Sequence, residues 1–276
     1  MSPVEAHWFV LPPSRDQDAW RLAMRRHAED QGLSVVEVVT GEEEVGSEIV
    51  LSSDLDRIRP MGANAENTTV LDLPAFMDLA SCSDSDRPLR VLDLSRKIVA
   101  ARNFEGSLTS PAETLPYPFS QMTGVVGDLR PATAVEERFQ EALAFVGQGA
   151  ARWAPEIFQY TPGPEGAEQP GVLDITGRPR FLVFGPYMFL PRGVWRITAR
   201  MGFDVDAGAR PYQIQWGDSL DYVFHDFTPG QSGVFEITLE REWKTHAASE
   251  IRLMLVEGAF HGRLSWLGAT VSRVDQ

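Results

Sequence analysis

The chain of 276 residues contains one cysteine, Cys82, which excludes an internal disulfide and a thiolate metal cluster. Cys82 lies in the polar stretch Ser81-Cys82-Ser83-Asp84, with no neighbouring base to mark a nucleophile, and reads as inert. No apolar run reaches about 18 residues, which excludes a membrane-spanning helix. The opening Met1-Ser2-Pro3-Val4-Glu5 has no basic segment leading into an apolar one, so cytoplasmic synthesis without a signal peptide is expected. Also missing are a Walker loop, a Gly-x-Gly-x-x-Gly fingerprint, a metal-spaced His pair and a Gly-x-Ser-x-Gly elbow.

Positive charge is scarce too. There are 25 Lys+Arg against 39 Asp+Glu, a formal net charge of −14. Residues 171–276 hold 11 and 12 of these, a balance of −1, which leaves 14 and 27 in residues 1–170, a balance of −13. The acidic first part argues against nucleic acid and anionic membrane as partners, since both repel it. It suits docking to a protein partner. The near-neutral second part suits a neutral or weakly charged ligand.

What is present points to two domains. The length exceeds one ordinary domain, and a hydrophobic fraction of 43% can fill a core. His7 to Leu11 reads as a buried strand closed by Pro12-Pro13. Asp16 can cap a helix carrying Ala19, Trp20, Ala23, Met24, His27 and Ala28 at helical spacing, and Gly32 stops it. Leu33–Val39, Ile49–Leu51, Val70–Leu73 and Leu89–Leu94 are further strand candidates. Ser110–Gly127 reads as a long loop, and Thr133–Gly147 as a helix with Val135, Phe139, Leu143 and Val146 on one face. Thr161-Pro162-Gly163-Pro164-Glu165-Gly166 is the strongest linker signal, and the domain boundary is placed there.

Beyond it the rhythm changes to period two. Trp195, Ile197, Ala199, Met201 and Phe203 alternate with Arg196, Thr198 and Arg200; Tyr212, Ile214 and Trp216 alternate with Gln213 and Gln215. Phe181–Phe184, Tyr222–Phe227, Phe235–Leu239, Ile251–Val256 and Leu264–Val274 complete the set. The expected fold is α+β in two domains. A small α/β domain over 1–160, ending in a helical segment for docking or assembly, precedes an all-β jelly-roll sandwich over 171–276.

The order of motifs in the second part carries a resemblance. Asp174-Ile175-Thr176-Gly177-Arg178 leads to Phe184-Gly185-Pro186-Tyr187 and Leu190-Pro191-Arg192-Gly193-Val194-Trp195-Arg196. His225-Asp226-Phe227-Thr228-Pro229-Gly230, Val256-Glu257-Gly258-Ala259-Phe260-His261-Gly262 and Leu264-Ser265-Trp266-Leu267-Gly268 follow. This resembles the carbohydrate-binding-like sandwich domains of bacterial polysaccharide-associated proteins, including some glycosyltransferases and the capsule-binding head-spike proteins of gene-transfer agents. The resemblance covers about the last hundred residues and brings no fixed ligand set. It implies a non-catalytic polysaccharide- or capsule-binding role, an oligomer, and a place on the surface of a phage-like particle.

A sugar site needs an aromatic platform beside polar side chains, because the C–H face of a pyranose packs on a ring while amides and charged groups bond its hydroxyls. Strand parity assigns Trp195 and Trp216 to the core. Trp243, between charged neighbours at a strand end, and Trp266 are the candidate platforms. Asp218, Asp221, His225, Asp226, His261 and Arg263 are the polar candidates. Asp204-Val205-Asp206-Ala207-Gly208 has too few acidic positions for a calcium loop, and no metal or cofactor is expected. A competing reading rests on Asp54 and Asp56 after the strand Ile49–Leu51, an Asp-x-Asp arrangement like the metal and sugar-nucleotide motif of one glycosyltransferase class. Asp84-Ser85-Asp86 shows how often such a triplet arises by chance. Three readings stand: adhesive polysaccharide binder, glycosyltransferase or its accessory subunit, and assembly protein.

Overall fold

The computed structural model describes residues 6–41, 46, 48–110, 114–122, 125, 130–162, 170–205 and 209–274. The chain forms two compact units, one of residues 1–81 and 93–132, the other of residues 82–92 and 133–276.

The first unit is built on a parallel sheet. Its strands are β1 (His7–Val10), β2 (Val35–Val38), β3 (Ile49–Ser52), β4 (Thr68–Leu71) and β5 (Ser107–Thr109), in the order β2-β3-β1-β4-β5. All four pairings are parallel, so the central strands need cover on both faces and read as continuous apolar runs. Helix α1 (Gln17–Asp30) lays Trp20, Met24 and Ala28 against Phe9, Leu11, Ile49 and Leu51 on one face. Helix α2 (Leu55–Ile58) and the end of α3 (Arg87–Arg102) pack Leu55, Ile58, Ala100 and Ala101 against Trp8, Val10, Val50 and Val70 on the other. Gly32, at φ 75°, ends α1 in the left-handed conformation that a side chain would resist. Leu89–Leu94, expected as a strand, is instead the first half of α3. The short apolar run continues through Ile98 and Val99, and its buried positions Val91, Leu94 and Ile98 follow helical spacing.

The second unit is a β-sandwich. One sheet runs β13-β10-β15-β6, with β8 also on β15; the other runs β12-β11-β14-β9-β7. The strands are β6 (Ala150–Trp153), β7 (Gln159–Tyr160), β8 (Val172–Asp174), β9 (Arg180–Leu190), β10 (Gly193–Phe203), β11 (Tyr212–Gly217), β12 (Tyr222–Phe227), β13 (Gly233–Trp243), β14 (Ala247–Leu255) and β15 (Arg263–Arg273). Every pairing among them is antiparallel. The inner faces meet through rings: Trp216 and Trp243 lie 5.9 Å apart, and Phe203 and Tyr212 4.9 Å apart.

The units divide near residue 132 rather than at Thr161–Gly166, of which Gly163–Gly166 lie outside the described residues. The expected helix is split into α4 (Ala134–Ala142) and α5 (Phe145–Gln148), opened by a capping box between Thr133 and Glu136. It belongs with the sandwich because the chain after it joins both sheets: β6 pairs with β15, and β7 with β9. Trp153 is buried beneath α4 and donates its indole N–H to the Ala142 carbonyl at 3.3 Å. Strands of four and two residues carry too little period-two pattern to be read from sequence.

Candidate functional site

The sandwich has two outer faces, and they differ in chemistry. Across β10 and β13 the outward rows are paired charges and hydroxyls: Arg196 with Glu240 at 2.5 Å, Arg200 with Glu236 at 3.0 Å, and Thr198 with Thr238 at 3.0 Å. These are exposed ion pairs of the kind that stabilise little.

The outer face of the other sheet is aromatic and amide-rich. Inward Tyr212, Ile214 and Trp216 leave Gln213, Gln215 and Gly217 facing out, and the register fixes their neighbours. One row reads Tyr222, Gly217, Glu250, Pro186; the next Phe224, Gln215, Arg252, Phe184, Gln159; the third Asp226, Gln213, Met254, Phe181. Phe224 is 62% exposed and Phe181 37%. Phe224 and Phe184 stand three strand spacings apart, about 14 Å.

A polar cluster holds the centre of this face. Glu250, only 6% exposed, accepts hydrogen bonds from the Tyr187 hydroxyl at 3.0 Å and the Tyr222 hydroxyl at 2.5 Å, and pairs with Arg252 at 2.6 Å. The Arg252 guanidinium lies 4.3 Å from the Tyr222 ring centroid and 5.5 Å from that of Phe181. Burial, together with the neighbouring Glu250 carboxylate, pushes both phenols above the ordinary tyrosine range, so they stay protonated donors. Tyr187 reaches Glu250 from a register shift in β9, where its φ of 64° is unusual for a residue with a side chain. Backbone strain and bulges of this kind re-aim side chains and gather at functional sites. Gln213 donates to Asp226 at 2.7 Å, and Gln215 to Gln213 at 2.5 Å, so the two amides form a line along β11 that ends on Asp226 of β12.

The residues singled out in the sequence are mostly elsewhere. Trp243 and Trp266, expected as platforms, are buried at 2% and 1% exposure. Trp243 continues the inward parity of Ile237 and Leu239 and packs on Trp216, with Arg241 covering its ring at 4.6 Å. Trp266 packs edge-on against Phe158 at 5.1 Å; the bulge between its pairing and that of Ala269 changes the parity, so Trp266 and Val271 both point inward. Asp218 caps the β11–β12 turn by accepting from the Leu220 and Asp221 amides, and it pairs with Arg241 at 3.1 Å; Asp221 also pairs with Arg241, at 3.3 Å. His225 is exposed on the edge strand β12, stacked 6.3 Å from Phe227 on the side opposite Asp226. His261 lies exposed in the β14–β15 turn, and Arg263 opens β15 opposite Asp174. Asp226 alone of the set lies on the aromatic face. Phe181, Phe224, Tyr187, Tyr222, Gln213, Gln215, Glu250 and Arg252 were not singled out, although the Gln213/Gln215 alternation marked an outward face.

The motif Asp54/Asp56 is engaged by arginine. Arg96 holds both Asp54 oxygens and reaches Asp56 at 2.9 Å. Burial raises the Asp54 carboxyl, but the Arg96 hydrogen bond and charge outweigh it and hold the group below the usual range. Each Asp54 oxygen thus already accepts a bond from a cationic guanidinium. In the Asp204–Gly208 turn, residues 206–208 lie outside the described residues. Among the described residues no group of three or more His, Cys, Asp or Glu is placed to hold a metal ion, and no helix is long and apolar enough to cross a membrane.

No protein-family model matches this chain, and no curated protein does. Solved structures similar to part of it are carbohydrate-binding modules with β-sandwich folds. TmCBM61 in complex with β-1,4-galactotriose shows 10% identity and a TM-score of 0.30, covering 46% of this chain and 84% of that one. The CBM22-1 xylan-binding domain of Paenibacillus barcinonensis Xyn10C shows 11% identity and a TM-score of 0.29, covering 47% and 88%. The glycosylation-associated Gap123 complex of Streptococcus agalactiae aligns over 99% of this chain and 50% of that one, at 10% identity and a TM-score of 0.31.

Proposed function

We propose that this protein is a non-catalytic polysaccharide-binding component, and that the glycan lies across the strands on the outer face of the β12-β11-β14-β9 sheet, between Phe224 and Phe184. The observation that supports this reading is the line Phe224, Gln215, Arg252, Phe184, which places one exposed and one half-buried ring beside an amide and a guanidinium in one row. A pyranose can pack its C–H face on each ring while its hydroxyls bond the polar groups between them. Glu250 already accepts from two tyrosines and Arg252, so its role is to position the row. Rings, amides and a guanidinium side by side are groups suited to binding a glycan.

The setting we propose is a multivalent one: a homo-oligomer displayed on a phage-like particle, anchored to a protein partner by the acidic first unit and gripping a bacterial capsule. The sequence resemblance of residues 174–268 to head-spike domains supports it, as does the economy of avidity. Many weak sugar contacts on linked copies act at high effective concentration. A titration of the full chain against a panel of capsular polysaccharides, repeated with Phe224→Ala, tests the binding reading. Binding that weakens at least tenfold in the variant supports it; no binding across the panel overturns it.

A further inference from the structure

The first unit contains a cleft that the sandwich does not need. It opens at the carboxyl ends of β1, β2 and β3 and has a volume of about 240 Å³. β1 and β3 are hydrogen-bonded neighbours, yet the helix after β1 packs on one face of the sheet and the helix after β3 on the other. Chains that diverge in this way from adjacent parallel strands leave a crevice between them, and open α/β sheets bind their ligands there.

Three cations line this crevice: Arg21 from α1, Arg57 from α2 and Lys97 from α3. That is unexpected in a stretch whose balance is −13. Among the described residues its two lining carboxylates, Glu37 and Asp54, are already engaged. Glu37 is held by Arg21 at 2.6 Å and Arg25 at 2.7 Å, and Asp54 by Arg96. Arg57 comes no closer than 3.9 Å to Asp54. Lys97 is bonded to Asp93 at 2.7 Å. Gln17, Ser52 and Ser53 add neutral polar groups, and Leu11, Val38, Val39 and Leu51 an apolar wall.

From this arrangement we infer that the cleft is a second binding site, for a small phosphate-bearing metabolite of sugar-phosphate size. Arg57 meets the phosphate, Lys97 and Arg21, the latter already paired with Glu37 and with Asp18 at 2.9 Å, add charge from the side, and the amide and hydroxyls meet the polyol. Guanidinium suits phosphate because its planar fork matches two oxygens at once. The volume falls below the range of about 300–1,000 Å³ typical of drug-sized ligands, which favours a small metabolite over a dinucleotide.

The test uses calorimetric titration of the full chain with glucose 6-phosphate, inorganic phosphate, glucose and succinate, together with Arg57→Gln, Lys97→Met and Phe224→Ala. The expected result is saturable binding of glucose 6-phosphate, weaker binding of phosphate, and none of glucose or succinate. Arg57→Gln and Lys97→Met each weaken glucose 6-phosphate at least tenfold while their unfolding midpoints stay at the parent value; Phe224→Ala changes nothing. Absence of binding, equal binding of succinate or glucose, or binding indifferent to both cleft variants overturns the inference. Loss in Phe224→Ala overturns it as well, by moving the site to the sandwich.

Discussion

Tyr222 donates its hydroxyl to the Glu250 carboxylate at 2.5 Å across the gap between β12 and β14, bridging the strand β11 that separates them. Gly217 is the residue of β11 paired with both Tyr222 and Glu250. Tyr187 approaches the same carboxylate from β9, and Arg252 closes the cluster. Three strands, β12, β14 and β9, are thereby tied across β11 on the face proposed to meet sugar.

Removing the carboxylate therefore costs more than one hydrogen bond. Glu250→Ala leaves two phenols and a half-buried guanidinium without their partner, and unfolding stability is expected to fall by about 3 kcal/mol. Glu250→Gln keeps an acceptor oxygen and loses less. Denaturant unfolding with the midpoint read for both variants checks the order.

Gly217→Ala probes the β11–β12 turn beside the bridge. A Cβ at this position overlaps the Asp221 carbonyl and sits 2.6 Å from the Arg241 guanidinium, so the β11–β12 turn must shift. A loss of about 2 kcal/mol is expected, together with weaker glycan binding, since Phe224 is carried on the displaced strand. Equal stability and affinity in the variant contradict this.

Trp243→Ala and Phe224→Ala separate core from surface. Trp243 is buried on Trp216, and its truncation is expected to cost about 3–5 kcal/mol of stability. Phe224 is exposed, so its truncation leaves the unfolding midpoint in place and lowers only affinity. Thermal unfolding beside glycan titration distinguishes the two patterns.

The strand alternation that made the sandwich legible also misassigned its tryptophans. Parity placed Trp195 and Trp216 inward, where they are, because β10 and β11 are regular over those residues. It failed at Trp266, where a bulge resets the period; Trp243 is misread from its charged neighbours and strand-end position, although the parity of Ile237 and Leu239 places it inward. The candidate face was hidden for a different reason. Its residues come from β9, β11, β12 and β14, and only the strand order, which no local pattern encodes, lays Phe181, Gln213, Arg252 and Phe224 side by side. The same holds for Arg96, which lies 42 residues from the Asp54 it neutralises.

The two raised phenols give a pH dependence with a definite sign. Burial, then Glu250, favours the protonated tyrosines in the folded state, so their contribution is complete below the unfolded value of about 10 and disappears as pH rises through the higher folded value. Affinity and stability are expected to be flat between about pH 7 and pH 9 and to fall only above about pH 10. A phenolate absorbance titration followed alongside glycan binding checks this; a midpoint for binding near pH 8 contradicts it.

The central claim is that the aromatic row on the β12-β11-β14-β9 face holds a polysaccharide. The most direct measurement is affinity of the full chain for capsular polysaccharide, compared with Phe224→Ala and Gln215→Ala on one side and Arg196→Ala on the other sheet. The account predicts at least a tenfold loss, about 1.4 kcal/mol, for each of the first two and no change for the third. Binding that ignores Phe224 and Gln215, or that depends on Arg196, contradicts it.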